Sequence, residues 1–330
     1  MANKSIVVRI DDRIRLMSAI LSVTNYPDKA QQHIGHRPHT HARNTTRWLH
    51  EYKNHPAVVQ TQLLLDKKAP LEALYTYILR LPWPDLKGAD APPWIPANWN
   101  HHMRDLYETS KLQRLWNDEA GQWEKAQIEA VSVFKEVDFY GFLKPFFGDV
   151  PEQLVFMPNI SYPSETAVGV RMDNELICAV PPRIAWGDNP PWPFTEDKAH
   201  VFSSSLVEYV RLLMLAYLRQ NAKAVDPVTQ KELPVSDEFK ARFPTWGEQF
   251  TFLFVAGVVA LFLETRVSKK EAEAYILVEK KAKGVTILPG VVSVLKRYLG
   301  DYQNGKYKEL TDFLPLFPGH LKIAKTITSL

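Results

Sequence analysis

Val201-Phe202-Ser203-Ser204-Ser205-Leu206-Val207-Glu208-Tyr209-Val210-Arg211, residues 201–211, combines an apolar surface with one polar stripe. Ser204, Glu208 and Arg211 recur at spacings of four and three, which places them on one face of a helix. The apolar pattern continues on both sides and predicts a helix from about Glu196 to Asn221. Taken alone, the stripe reads as a solvated helix edge carrying a Glu208–Arg211 contact.

The segments flanking this helix set the fold class. Upstream, Gln153–Met157, Thr166–Met172 and Leu176–Val180 are apolar runs too short for helices, separated by Pro158, Pro163 and the turn-forming Asp173-Asn174 pair. They predict a small sheet whose second and third strands form a hairpin. Downstream, Phe250–Leu263 is apolar apart from Thr251 and Gly257. It falls short of the roughly 18 to 20 residues that cross a bilayer, so it predicts a buried core helix, from Phe250 to Thr265. A threonine there can bond back to its own helix, which makes a structural role for Thr251 sufficient. Another helix is expected from Ser268 to Lys283, where lysines alternate with Glu271, Glu273 and Glu279 as on a solvated face. A loop is expected through Asp226-Pro227, and a last helical pair around Val291–Leu299 and Lys308–Phe313.

In the first half, Asp11-Asp12 precede Ile14, Met17, Ile20 and Leu21, whose spacing gives a helix ending near Asn25-Tyr26-Pro27. Further helices are expected at Ala42–Tyr52, Pro56–Lys67, Leu71–Leu81, Arg104–Trp116 and Glu119–Leu143. Pro82, Pro84, Pro92, Pro93 and Pro96 interrupt a stretch holding Trp83, Trp94 and Trp99, which predicts an ordered, extended connector. The expected class is α+β, predominantly helical, with a small mixed sheet packed on the 196–221 helix. The connector divides the chain into a helical region, 1–97, and a second region, 98–330, holding the sheet at 153–180, the stripe-bearing helix and a helical part at 235–330. One compact unit is the alternative.

Composition excludes several classes. With 45% hydrophobic residues and a net charge of +3, disorder is excluded, because disorder needs few apolar residues and a large net charge. The lone Cys178 rules out an internal disulfide, and its strand position suits a small buried side chain. The N-terminal stretch carries acids and arginines where a signal peptide has its apolar core, so a cytoplasmic location without membrane attachment is expected. Basic residues outnumber acidic ones from Arg266 onward, but without a recognisable nucleic-acid module. No glycine loop cradles a phosphate, and no GxSxG elbow presents a serine nucleophile. The stretch HIGHRPHTH holds His33, His36, His39 and His41 within nine positions. Imidazoles so spaced can chelate zinc, nickel or copper, yet Gly35 and Pro38 place them in a loop, with no neighbouring carboxylate in sequence to orient them.

The order of these pieces resembles a family of bacterial zincin-like proteins of unknown function, related to the gluzincin metallopeptidases. The likeness runs through DDRIRLMSAILSVTNYP, RWLHEYKNHPAVV, FFGDVPEQLVFMPN and LGDYQNGKYKELTDFLP. The resemblance implies that the helix after the sheet should carry HExxH, with two histidines binding zinc and the glutamate acting as general base, while a glutamate on a later helix completes the site. The matching segment is Ser204-Ser205-Leu206-Val207-Glu208, and the later glutamate falls at Thr251. Ser204 and Glu208 stand for the histidines, and Ser205 for the base. Serine and threonine hydroxyls are poor zinc ligands, and one carboxylate cannot hold the ion.

The expectation is therefore a metal-free pseudoenzyme, with zinc lost, that retains the scaffold as a binding or assembly protein. Its partner is expected to be a peptide or protein, since an extended chain can pair with a sheet edge. Two alternatives stand beside it. One is a metal-dependent hydrolase with a site rebuilt from Glu208 and His200, or from His101 and His102, although His200 is expected on a different helix face from Ser204. The other is a nucleic-acid-associated protein using the basic C-terminal region.

Overall fold

A computed structural model describes residues 4–30, 39–88, 91–183 and 190–321. In chain order its elements begin with β1 (Val7–Val8), α1 (Asp12–Leu21), α2 (Tyr26–Ala30), α3 (Thr40–Leu49), α4 (Pro56–Asp66) and α5 (Leu71–Leu79). There follow α6 (Trp99–Thr109), α7 (Leu112–Asp118), α8 (Ala120–Lys135), α9 (Phe139–Phe147), β2 (Gln153–Pro158), β3 (Val168–Met172) and β4 (Glu175–Val180). The chain continues through α10 (Lys198–Gln220), α11 (Ala222–Thr229), α12 (Asp237–Arg242), α13 (Trp246–Arg266), α14 (Lys269–Ala282), α15 (Leu288–Gln303) and α16 (Leu310–Phe313). The class is α+β, mostly helical, with one small mixed sheet.

Two compact units share the chain. One comprises residues 6–136 and 153–205, the other 1–5, 137–152 and 206–330. The division falls inside α10, between Ser205 and Leu206, and the Trp/Pro connector lies within the first of these units.

The sheet belongs to the first unit, in strand order β1-β2-β4-β3. β1 and β4 both run parallel to β2, while β3 pairs antiparallel with β4, in the register Val168↔Ala179 to Met172↔Glu175. The hairpin turns at Asp173, whose φ of 47° is tolerated because a short polar side chain can occupy the left-handed region. β1 has only two residues, too few to show an alternation that would predict it. Arg9, just beyond β1, is clamped to Glu175 of β4 by two bonds of 2.7 and 2.6 Å. On the sheet, α5 packs against β3 and α8 against β2, where Phe134 meets Phe156 edge-on at 4.9 Å. A buried polar chain knits α1, α5 and the end of β2, as Asn159 donates to Ser18 at 2.8 Å and Ser18 meets the Tyr75 hydroxyl at 3.0 Å.

In the second unit α13 is central. Thr245 and Glu248 form a reciprocal capping box at its start, so orphan amides of the first turn are satisfied. α14 and α15 pack on it, and Gly257 permits the α15 approach, since a Cβ there would lie 2.6 Å from Leu295. α9 contributes Phe139 and Phe142, each 4.8 Å edge-on from Phe262.

Several expected boundaries are corrected. The helix expected at 119–143 is two helices, because Asp138 caps a new start by accepting from Gly141 N at 2.8 Å. The Tyr26-Pro27 break opens a short helix instead, and the loop expected at Asp226-Pro227 is helical, with Val225 and Val228 buried. The helix expected at 104–116 begins at Trp99 and is interrupted at Lys111, whose φ is 53°. α12 falls within the helical part expected at 235–330, ahead of the first helix placed there. α13 spans 21 residues, so it and α10 are both long and apolar enough to cross a membrane, although 78% of α13's most apolar window is buried within the protein.

Candidate functional site

Four helices of the second unit surround a cavity of about 450 Å³. α10 supplies Val207, Arg211 and Leu215 at four-residue intervals, so one face of the helix meets the cavity. α13 supplies Thr251, Phe252 and Val255, again one helical stripe. α14 adds Tyr275, Glu279 and Lys283, also four apart, and Arg242 and Phe243 close the side at the end of α12.

The charged groups of this wall are mostly paired. Arg211 donates to one Glu208 oxygen through Nε at 3.0 Å and Nη2 at 2.5 Å. Arg242 donates to the Lys283 carbonyl at 2.7 Å, with its guanidinium 5.1 Å from the Phe243 ring. Lys283 donates to Glu279 Oε1 at 2.7 Å; its side chain is half exposed, whereas that of Glu279 is only 5% exposed. Burial, then the Glu279 carboxylate, holds the Tyr275 phenol well above its ordinary pKa, so it stays a hydrogen-bond donor at neutral pH.

Among the described residues, two buried atoms of this wall have no partner: Thr251 Oγ1 and Glu279 Oε2. Thr251 is 5% exposed and Glu279 4%. The back-bond expected for Thr251 is thus not made. The solvated face expected for α14 is also corrected, since Glu279 turns inward while Glu271 and Glu273 are exposed. The sequence signal that could have found this wall is the four-residue spacing Tyr275-Glu279-Lys283.

The other candidate residues are placed as follows. Ser205 is fully buried and donates to the Val201 and Phe202 carbonyls of its own helix at 2.7 and 3.2 Å. Ser204 Oγ lies 3.5 Å from His200 Nδ1, while His200 Nε2 meets the Pro181 carbonyl at 2.9 Å. The expectation that His200 faces away from Ser204 is therefore corrected. Burial lowers the His200 pKa, with the Pro181 bond opposing it, so the ring is neutral, donating through Nε2 and accepting at Nδ1. Cys178 is buried in β4, its sulfur 3.8 Å from the Ser204 carbonyl.

His33 and His36 lie outside the described residues. His39 and His41 stand at the start of α3 rather than free in a loop: His39 Nδ1 accepts from Ala42 N at 3.5 Å as the cap. Burial, then His41 and Arg43, pushes the His39 pKa down to about 3. His41 Nδ1 meets Glu119 Oε1 at 3.0 Å, a carboxylate remote in sequence that the reading of the histidine stretch could not supply. His102 meets Gln60 at 3.1 Å.

Among the described residues no group of three or more His, Cys, Asp or Glu side chains is placed to hold a metal. The residues at the positions that the resemblance assigns to the zinc motif do not fit zinc: the Ser205 hydroxyl is turned onto its own helix, and the Glu208 oxygen is held by a guanidinium. Compared with family models, with curated proteins and with solved structures, the chain matches none.

Proposed function

We propose that this chain is a metal-free, zincin-like binding protein, without hydrolytic activity, whose ligand site is the cavity walled by α10, α13 and α14. The observation that carries this reading is Thr251: at the position where the resemblance calls for a metal-binding glutamate, the residue lines a cavity of about 450 Å³ with its hydroxyl unbonded. Cavities of this size, mostly apolar with a few polar groups, are the usual form of ligand sites. The peptide or protein partner implied by the resemblance would enter it through a side chain.

The hydrolase alternative finds less support, because His200 Nε2 meets the Pro181 carbonyl and His102 Nδ1 meets Gln60, so neither ring turns both nitrogens to a common metal. The nucleic-acid alternative is weakened by pairing in the basic C-terminal region, where Lys283, Lys296 and Lys306 each meet a carboxylate. Metal analysis of the purified protein tests the reading. Substoichiometric zinc is expected. Stoichiometric zinc that survives replacement of His33, His36, His39 and His41 would overturn it.

A further inference from the structure

Around the cavity the cationic groups are engaged and one carboxylate oxygen is not. Arg211 is chelated by Glu208, Arg242 by the Lys283 carbonyl, and Lys283 by Glu279 Oε1. Glu279 Oε2 and Thr251 Oγ1 have no partner among the described residues. A buried carboxylate oxygen without a donor is costly, and an ionised carboxylate can only accept. Lys283 answers just one of its oxygens, from the half-exposed rim. Phe243, Phe252, Leu215 and Val255 provide the apolar remainder of the wall. The rings of Phe243 and Phe252 already have a cation, Arg242, at 5.1 and 5.8 Å, so this aromatic surface is compatible with positive charge.

We infer that the cavity takes a primary ammonium carried on an apolar or aromatic stem, with Glu279 Oε2 accepting from the ammonium and Thr251 accepting beside it. The inference rests on the reading of this cavity as the ligand site. A free arylalkylamine and a lysyl side chain of a peptide share this chemistry.

The test is calorimetric titration of the full chain with phenethylamine, 2-phenylethanol and 3-phenylpropionate, and with acetyl-Phe-Lys-amide against acetyl-Phe-norleucine-amide. Phenethylamine should bind at least about tenfold more tightly than the alcohol or the acid, the share of one charge-assisted hydrogen bond. A matching preference for the lysyl peptide would assign the site to a peptide, and its absence to a free amine. Glu279→Gln should bring the amine to the level of the alcohol. Lys283→Met, which leaves the carboxylate in place and removes its internal cation, should tighten amine binding and serves if the first variant does not fold. Preference for the acid, or an amine preference unchanged in both variants, overturns the inference while leaving the cavity a ligand site. If no probe binds, or if Ala256→Trp, which fills the cavity, leaves all binding unchanged, the site reading itself fails.

Discussion

Arg15 in the sheet-bearing unit and Thr251 in the helical unit both bury polar atoms that lack partners, but their surroundings differ. The Arg15 guanidinium lies 4.3 Å from the Trp116 ring and 4.4 Å from the Trp123 ring. Nη1 donates to Asp12 at 3.0 Å, while Nε and Nη2 have no hydrogen-bond partner among the described residues. Burial lowers its pKa, and the nearby carboxylates of Asp12 and Glu119 oppose the shift. Two indole rings lie within cation–π distance of this guanidinium, which offsets part of its desolvation. Beside Thr251 and Glu279 there is instead a cavity. An unpartnered buried atom points to a ligand only where space adjoins it; between stacked rings it is a feature of the core.

Arg15→Ala should cost about 3 kcal/mol, since it opens a void between two indoles and removes a cation–π contact. Arg15→Met should recover most of it. Urea melts decide, and a loss under about 1 kcal/mol for the alanine variant would show that the stack does not support the core.

Next comes pH. His39 is held neutral, with a folded pKa of about 3 against an ordinary value near 6.5. Between these values the unfolded chain takes up a proton that the folded chain refuses, so stability falls as pH drops through that window. His39 should account for a loss of about 2 kcal/mol between about pH 6 and about pH 4. His39→Asn, which keeps a cap acceptor, should flatten the profile by that amount. Identical profiles would mean that His39 protonates in the folded state.

A smaller effect of opposite sign sharpens the other half. Thr251→Val removes an unpartnered hydroxyl at nearly constant shape and should stabilise the free protein by up to about 1 kcal/mol. Destabilisation in thermal melts would show that the hydroxyl has a partner. Ser205→Ala should change stability least, within about 0.5 kcal/mol, because its hydroxyl bonds carbonyls that already accept helix amides. A loss above about 1 kcal/mol would give that hydroxyl a larger structural role.

Legibility followed the length of each pattern. The β3–β4 hairpin is readable because apolar runs too short for helices flank the turn-forming Asp173-Asn174 pair, and α13 because its apolar run is long. β1 is not, because two residues carry no period. The break between α8 and α9 was hidden because apolar residues continue across it, and Asp138 acts as a cap only once the chain bends. At the site, the stripe Ser204, Glu208 and Arg211 and the position of Thr251 were visible, and the Glu208–Arg211 pair follows from their spacing. Glu279 was misread as exposed, since its charged neighbours on α14 are exposed and only packing on α13 distinguishes it.

Local residue order dictates which elements form wherever apolar side chains keep a period, and which donor and acceptor atoms stand at positions 204, 205, 208 and 251. Tertiary structure alone decided that Glu119 meets His41, 78 residues away, that two tryptophans enclose Arg15, and that Glu279 faces inward. The physical reason is that helix period and hydrogen-bonding capacity are local properties of a side chain, whereas burial and pairing depend on which distant element is packed against it.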